Sequence, residues 1–415
     1  MTIDTTEIRA AVARGEKGLP VEGAGKGASL IRDEVSLPAM VLRERALEHN
    51  IHWMQRFVDD RGLALAPHGK TTMTPALFRR QTAAGAWGIT LATAAQCRAA
   101  YEAGVRRLLM ANELVGAGNM AIVSSLLEDP EVTYHCTVDS ADNARALGEF
   151  FAARGQCVEV LIELGVPGGR CGCRSRAEVM ALAEVIAAQP GIAVAGIEGY
   201  EGVIHGDDMA DRVRAYGDEL VAITRALADA DLIAVERPVV TASGSAWYDV
   251  IAEAFGAADA RERFLPLLRP GCYVAHDHGL YKRAQSEILE RLHGDPEDGL
   301  LPAMEVWAHI QSVPEPGRAV AGLGKRDIAY DADLPMPLRR YRPGMDDAPL
   351  PVADWAVTGI MDQHAFLQVP VGEDVRVGDI VAFGSSHPCL TFDKWRHICL
   401  MNDAFEAVEI LTTRF

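Results

Sequence analysis

Between residues 63 and 277 the chain alternates eight short apolar runs with longer amphipathic stretches, and this rhythm limits its possible folds more than any other feature. The runs are Leu63–Pro67, Gly88–Ala92, Arg107–Ala111, Val132–Val138, Val158–Leu164, Val194–Gly199, Val235–Thr241 and Tyr273–Asp277. Most are apolar throughout, as expected of strands covered on both faces. Between them lie helical patterns at Ala94–Ala103, Ala117–Leu127, Ala141–Ala153, Arg176–Ala188, Met209–Ala228 and Trp247–Phe255, marked by apolar residues three and four apart. Repeated βα units predict a (β/α)8 barrel, in which right-handed crossovers keep successive strands parallel. The alternative is an open doubly wound sheet, but no glycine-rich dinucleotide fingerprint follows an early run to support it.

A further strand is expected at Pro38–Leu42, followed by a helix from Arg43 to Val58 on the spacing of Leu47, Ile51, Met54 and Phe57. After residue 285 Pro, Gly and Asp become frequent, and short β-like runs replace helices: Met304–Ser312, Ala319–Ala321, Asp354–Gly359, Ala365–Val369 and Asp379–Phe383. The expected organisation is a barrel over residues 37–285 and a mostly β domain over 286–415, joined by part of 1–36.

A net charge of -18 argues against nucleic-acid and anionic-membrane partners. No apolar run approaches the roughly 20 residues of a membrane span. Met1 to Glu7 has neither a basic nor an apolar region, so no secretion signal is expected there. The eight cysteines are scattered and read as reduced residues of a cytoplasmic protein.

In the stretch Ala64-Leu65-Ala66-Pro67-His68-Gly69-Lys70-Thr71-Thr72, Pro67 and Gly69 break a short buried strand at once and leave Lys70 at its end. Thr74 and Pro75 suit the cap and first position of a helix running to about Ala84. Barrels of this type carry their active sites at the C-terminal ends of the strands. A lysine there, above apolar walls, suits a depressed amine pKa and Schiff-base chemistry; a lone loop lysine is otherwise a solvated surface charge.

The last two runs bring in Thr241-Ala242-Ser243-Gly244-Ser245 and Arg269-Pro270-Gly271-Cys272-Tyr273. Small residues at these positions offer N–H groups and hydroxyls to a phosphate, although an ordinary capped turn has the same composition. Gly168-Gly169-Arg170-Cys171-Gly172 and Gly199-Tyr200-Glu201-Gly202 occupy other strand ends. Arg170 suits a cofactor oxygen or ring nitrogen, or else a surface ion pair. Cys171 and Cys173 stand too close together for two zinc ligands and lack a second pair, so they read as structural.

In the β domain, Ser385-Ser386-His387-Pro388-Cys389 places His387 and Cys389 two apart on a segment read as extended, with both side chains on one side. Imidazole plus thiolate suits Zn2+ and leaves positions open for water or substrate. A buried cysteine beside a loop histidine is the plain alternative. Asp362-Gln363-His364 and His276-Asp277-His278 have weaker spacing.

Pro67-His68-Gly69-Lys70-Thr71, Gly168 to Gly172, Ser243-Gly244-Ser245, Arg269 to Tyr273 and His387-Pro388-Cys389 together resemble the alanine-racemase-like (fold type III) pyridoxal-phosphate enzymes. The resemblance is to the branch of D-serine dehydratases and D-threonine aldolases, and it runs from about Leu37 to the C-terminus. It implies a barrel followed by a β domain, assembled as a homodimer. Lys70 would then carry pyridoxal phosphate as a Schiff base. Ser243, Gly244, Ser245, Gly271, Cys272 and Tyr273 would bind its phosphate, with Arg170 and Tyr200 near its ring. His387 and Cys389 correspond to the Zn2+ ligands of the dehydratase type, with Mn2+ or Co2+ as other divalent candidates. Aldolases of this branch usually carry aspartate at the second ligand position, so Cys389 implies the dehydratase. Two departures stand out: Thr71-Thr72-Met73 replaces a frequent Thr-His-Lys, and Ser243-Gly244-Ser245 is less glycine-rich than usual.

The implied activity is dehydration and deamination of a D-serine- or D-threonine-type substrate to a 2-oxo acid and ammonia. Retro-aldol cleavage to glycine and an aldehyde is the first alternative. A racemase would need a second base, and a non-catalytic cofactor carrier would lack residues 286–415.

Overall fold

The computed structural model describes residues 5–23, 25–295 and 298–415; residues 1–4, which open the stretch inspected above for a secretion signal, lie outside it. Two compact units emerge, each built from separated stretches of chain: His52–Lys70 with Leu77–Gly271, and the described part of Met1–Ile51 with Thr71–Ala76 and Cys272–Phe415. No helix among the described residues is long and apolar enough to cross a membrane.

The first strand, β1 (Ala39–Arg43), belongs to the second unit. The next eight form the first unit: β2 (Ala64–Leu65), β3 (Ile89–Leu91), β4 (Arg107–Glu113), β5 (Thr133–Val138), β6 (Val158–Leu164), β7 (Ile192–Gly199), β8 (Val239–Ala242) and β9 (Leu265–Leu268). Their spatial order is β2-β9-β8-β7-β6-β5-β4-β3, and every pairing is parallel. The two ends of that order meet. Trp87 N–H donates to Leu65 O at 2.7 Å and Thr90 N–H to Pro67 O at 2.9 Å, while His68 bridges Thr90 in parallel. The sheet therefore closes into the expected (β/α)8 barrel. Inside it Ala66, Leu109, Leu161, Ala195, Val239 and Leu267 pack as one apolar layer. Side chains two residues further along a strand face the same way, and four of these six positions are polar: His68, Glu163, Thr241 and Arg269, against Ala111 and Ile197. The interior thus turns polar toward the strands' C-terminal ends.

One strand assignment fails. The eighth barrel strand is Leu265–Leu268, and the start of the expected Tyr273–Asp277 run belongs to a 3-10 helix, Cys272–Val274. An apolar run of this length cannot be told from a buried helical turn by periodicity. The true strand carries Pro266, which counts against a strand on propensity grounds.

The second unit holds a ten-stranded sheet ordered β13-β12-β16-β10-β1-β17-β18, with β11, β14 and β15 paired off the path. These strands are β10 (Met304–Glu315), β11 (Arg318–Ala321), β12 (Met336–Tyr341), β13 (Leu350–Pro351), β14 (Ala356–Ile360), β15 (Ala365–Gln368), β16 (Ile380–Gly384), β17 (His397–Met401) and β18 (Ala407–Thr412). Pairing is antiparallel except between β1 and β17. Val41, Trp307, Ile380, Ala382, Cys399 and Met401 are part of its core. Strand β12 was not expected from sequence, because Met-Pro-Leu-Arg-Arg-Tyr lacks an apolar pattern. Its Arg339 is instead neutralised by an ion pair with buried Glu305 on β10.

Candidate active site

The Lys70 turn follows from its neighbours. Past β2 the backbone stays in register with the barrel: Ala66 N–H donates to Leu268 O at 2.9 Å and His68 N–H to Pro270 O at 3.2 Å. A 3-10 turn over Gly69–Thr71 then swings Lys70 out, and its side chain is exposed. Only glycine fits at position 69, since a Cβ there would lie 2.7 Å from the Phe78 ring and 2.8 Å from Ile89 Cγ2. Beside the turn, His68 is held neutral mainly by burial and then by the charges of Lys70 and Arg269. Its Nδ1 is buried with no hydrogen-bond partner.

Further round the barrel, two loops with small residues converge, as Gly271 N–H donates to Ser245 Oγ at 3.2 Å. Ser243 and Gly244 present their N–H groups to the Glu201 carboxylate, at 3.0 and 2.6 Å. Arg269 forms a buried ion pair with Glu198 and donates to Gly199 O at 2.7 Å. The pair stays unsaturated, for Arg269 Nε and Glu198 Oε2 are buried without partners.

Arg170 and Tyr200, distant in sequence, meet with the guanidinium 4.5 Å from the ring centroid. Two residues that sequence reasoning passed over position them. Arg174 donates to the carbonyls of Arg170, Cys171 and Gly172 at 2.6, 2.7 and 2.7 Å, bracing the loop that carries Arg170. The Tyr216 hydroxyl donates to Leu164 O and accepts from Tyr200 N–H at 3.1 Å. Loop geometry of this kind leaves no mark in a linear sequence.

Carboxylates crowd the same end of the barrel. Burial, followed by the charges of Glu198 and Glu113, pushes Glu163 up to about 8. Glu113, Asp139 and Cys171 have donor atoms all within 4.8 Å of one another. This gives Cys171 two carboxylate neighbours from other strand ends that its spacing to Cys173 did not reveal.

In the second unit the His387–Cys389 segment is not extended. Pro388 caps a short helix, Cys389–Phe392, so the bend and not a strand pleat brings the two side chains together. Cys389 holds a proton on His387, raising it to about 9 with help from Asp331, whose carboxylate lies 2.7 Å from His387 Nδ1. Cys272 lies 3.7 Å from Cys389, sulfur to sulfur. Thr71 Oγ1 is 3.8 Å from Cys272 Sγ and 3.4 Å from Cys389 Sγ. Hydrogen bonding from Cys272, then from His387, lowers the Cys389 thiol well below its usual range. Tyr273 is buried in the 3-10 turn that begins at Cys272. The weaker candidates have structural work. Asp277 accepts from the N–H groups of Gly279, Tyr281 and Lys282 at 2.9, 3.0 and 3.2 Å, while Asp362 pairs with Arg326 at 3.4 Å.

Residues 42–273 match the family described as "Alanine racemase, N-terminal domain", and residues 303–401 match the "Putative serine dehydratase domain". The chain belongs to the alanine-racemase-like, fold type III pyridoxal-phosphate family. Within this family it is 27% identical over 376 residues to a D-threonine aldolase from Arthrobacter sp., covering 89% of this chain and 90% of that one. It is 32% identical over 135 residues to a D-threo-3-hydroxyaspartate dehydratase from Delftia sp. (strain HT23), covering 32% and 35% of the two chains. The crystal structure of a D-threonine aldolase from Filomicrobium marinum superposes with a TM-score of 0.76 at 24% identity, over 94% of this chain and 97% of that one. The family thus contains relatives that cleave a carbon–carbon bond and relatives that remove water.

Proposed function

We propose that this chain is a pyridoxal-phosphate-dependent, metal-assisted dehydratase of D-β-hydroxy amino acids of the D-serine or D-threonine type, releasing a 2-oxo acid and ammonia. The observation that carries the choice is the thiol of Cys389 beside His387, where the aldolases of this branch usually have a carboxylate. The residues present suit both groups. For the cofactor they supply an amine at Lys70, converging loops at Ser245 and Gly271, and buried unpartnered polar atoms on Arg269 and Glu198 at the polar end of the barrel. For a divalent cation, Zn2+ above all, they supply imidazole and a thiol of lowered pKa, the borderline-soft donors it favours.

When bound, pyridoxal phosphate supplies an electron sink for charge at Cα, and the cation supplies Lewis acidity at the β-hydroxyl. The Lys70 amine takes the Cα proton. Arg170 and Tyr200 would border the cofactor ring, and Ser243, Gly244, Ser245, Gly271, Cys272 and Tyr273 would form the two phosphate loops. Asp331 accepts at His387 Nδ1, so that Nε2 would be the ring nitrogen available to a cation. Loss of the proton from Cα and of hydroxide from Cβ gives an enamine, which water converts to the 2-oxo acid and ammonia.

The second reading, retro-aldol cleavage, draws on the D-threonine aldolase that matches 89% of the chain. A panel of D- and L-β-hydroxy amino acids with ammonia and aldehyde readouts separates the two. Ammonia and a 2-oxo acid from D-substrates, abolished by chelation while the visible cofactor spectrum persists, is the expected result. Glycine plus an aldehyde would replace the dehydratase by the aldolase.

A further inference from the structure

The chemistry above gives no role to Glu201, a buried carboxyl group of the barrel. Glu201 follows β7 by two residues, is 0% exposed, and accepts from Ser243 N–H through one oxygen and from Gly244 N–H through the other. Burial raises the Glu201 carboxyl above its usual range, and the N–H groups of Gly244 and Ser243 act against that rise by favouring the carboxylate. These two N–H groups are the ones a small-residue turn would offer a phosphate, and they cannot serve Glu201 and a phosphate at once.

The turn is also under constraint. Ser243 has φ +91, a region that side-chain-bearing residues avoid unless the surroundings enforce it. Its hydroxyl is turned inward and donates to Gly244 O at 3.0 Å. At Gly244 a Cβ would stand 3.0 Å from Tyr200 Cε2 and 3.4 Å from Glu201 Oε1, so the carboxylate and the tyrosine ring close over the turn. The next residue, Ser245, makes the contact with Gly271 that joins the two loops.

We propose that Glu201 is a positioning residue for the cofactor phosphate: a buried carboxyl group that occupies the Ser243 and Gly244 amides, holds their strained turn, and confines the phosphate to Ser245 and Gly271. This rests on the pyridoxal-phosphate reading and refines it, since Ser243 and Gly244 then shape the anion site without donating N–H bonds to it.

The test compares apo wild type, E201Q and the double variant E201Q/S243G in titrations with pyridoxal phosphate and with pyridoxal, which lacks the phosphate. Each is followed by visible absorbance and by borohydride trapping on Lys70. E201Q should weaken pyridoxal phosphate about tenfold or more, because it removes the carboxyl partner of two N–H groups, and should leave pyridoxal affinity unchanged. Adding Ser243→Gly, which relieves the positive φ, should recover part of the loss. An unchanged or tighter pyridoxal phosphate affinity in E201Q overturns the proposal, the tighter case showing that Glu201 competes with the phosphate. Equal loss for both aldehydes overturns it too, as general destabilisation. A wild-type protein that traps neither aldehyde on Lys70 sinks the cofactor reading itself, a result distinct from any E201Q effect.

Discussion

The barrel loops and the His387–Cys389 bend are built on different principles. Around Ser243, Gly244 and Gly271 the polar groups on offer are backbone N–H donors, two of them already held by Glu201, so what matters for the proposed cofactor site is the shape of the loop. That shape is enforced from outside by Glu201 and Tyr200. At the bend the proposed metal donors are side chains, so what matters is their chemical identity. Their geometry is set by a four-residue helix and one carboxylate, Asp331. A backbone site tolerates changes in residue type but fails when a buried brace is lost. A side-chain site fails when a donor is exchanged, even if the fold is untouched.

Substitutions separate the two regions by what each one leaves alone. The largest effect is expected for Lys70→Ala, which should lower turnover by about a thousandfold or more by removing the base for the Cα proton. It should also abolish borohydride trapping of the cofactor while leaving the stoichiometry of bound Zn2+ intact; trapped label in this variant would move the cofactor to another lysine. Asp331→Asn should do the reverse. Losing the carboxylate on His387 Nδ1 is expected to weaken metal affinity about 10- to 100-fold, measured by chelator competition, with pyridoxal phosphate affinity unchanged. Equal metal affinity in the variant would leave Asp331 as a surface partner only.

The smallest effect concerns the barrel interior and pH. Glu163 has a folded pKa raised from 4.5 to about 8, chiefly by burial. The folded state therefore binds its proton more tightly than the unfolded chain, and that stability is complete below about pH 4.5 and lost as pH rises to about 8. The melting temperature of the apo protein should fall by a few degrees between pH 5 and pH 9. In Glu163→Gln this slope should flatten, and an unaltered slope would assign it to other groups.

Much of the barrel could be read from sequence because βα alternation is a local signal: seven of the eight apolar runs overlap barrel strands. The eighth was displaced because Tyr273-Val274-Ala275 is apolar for a different reason, as a buried turn, while Pro266 disguised the real strand. Lys70, Arg170, His387 and Cys389 could be noticed because their residue types are chemically distinctive beside glycine and proline. Glu201, Arg174, Tyr216 and Asp331 could not. Each acts on a partner through space, and nothing in its local sequence separates it from an ordinary surface or core residue.

Local sequence sufficed for the βα alternation, the glycine-permitted turn around Lys70 and the imidazole–thiol pair, because each follows from residues a few positions apart. Only the tertiary structure decided that the barrel closes through Leu65, Pro67 and His68 and that Asp331 anchors His387. It also decided that Glu201 occupies the amides of Ser243 and Gly244. Those contacts join groups separated by tens of residues, and burial gives them their strength. Lys70 thus owes its turn to its immediate neighbours, while the turn at Ser243 owes its shape to a carboxylate about 40 residues earlier.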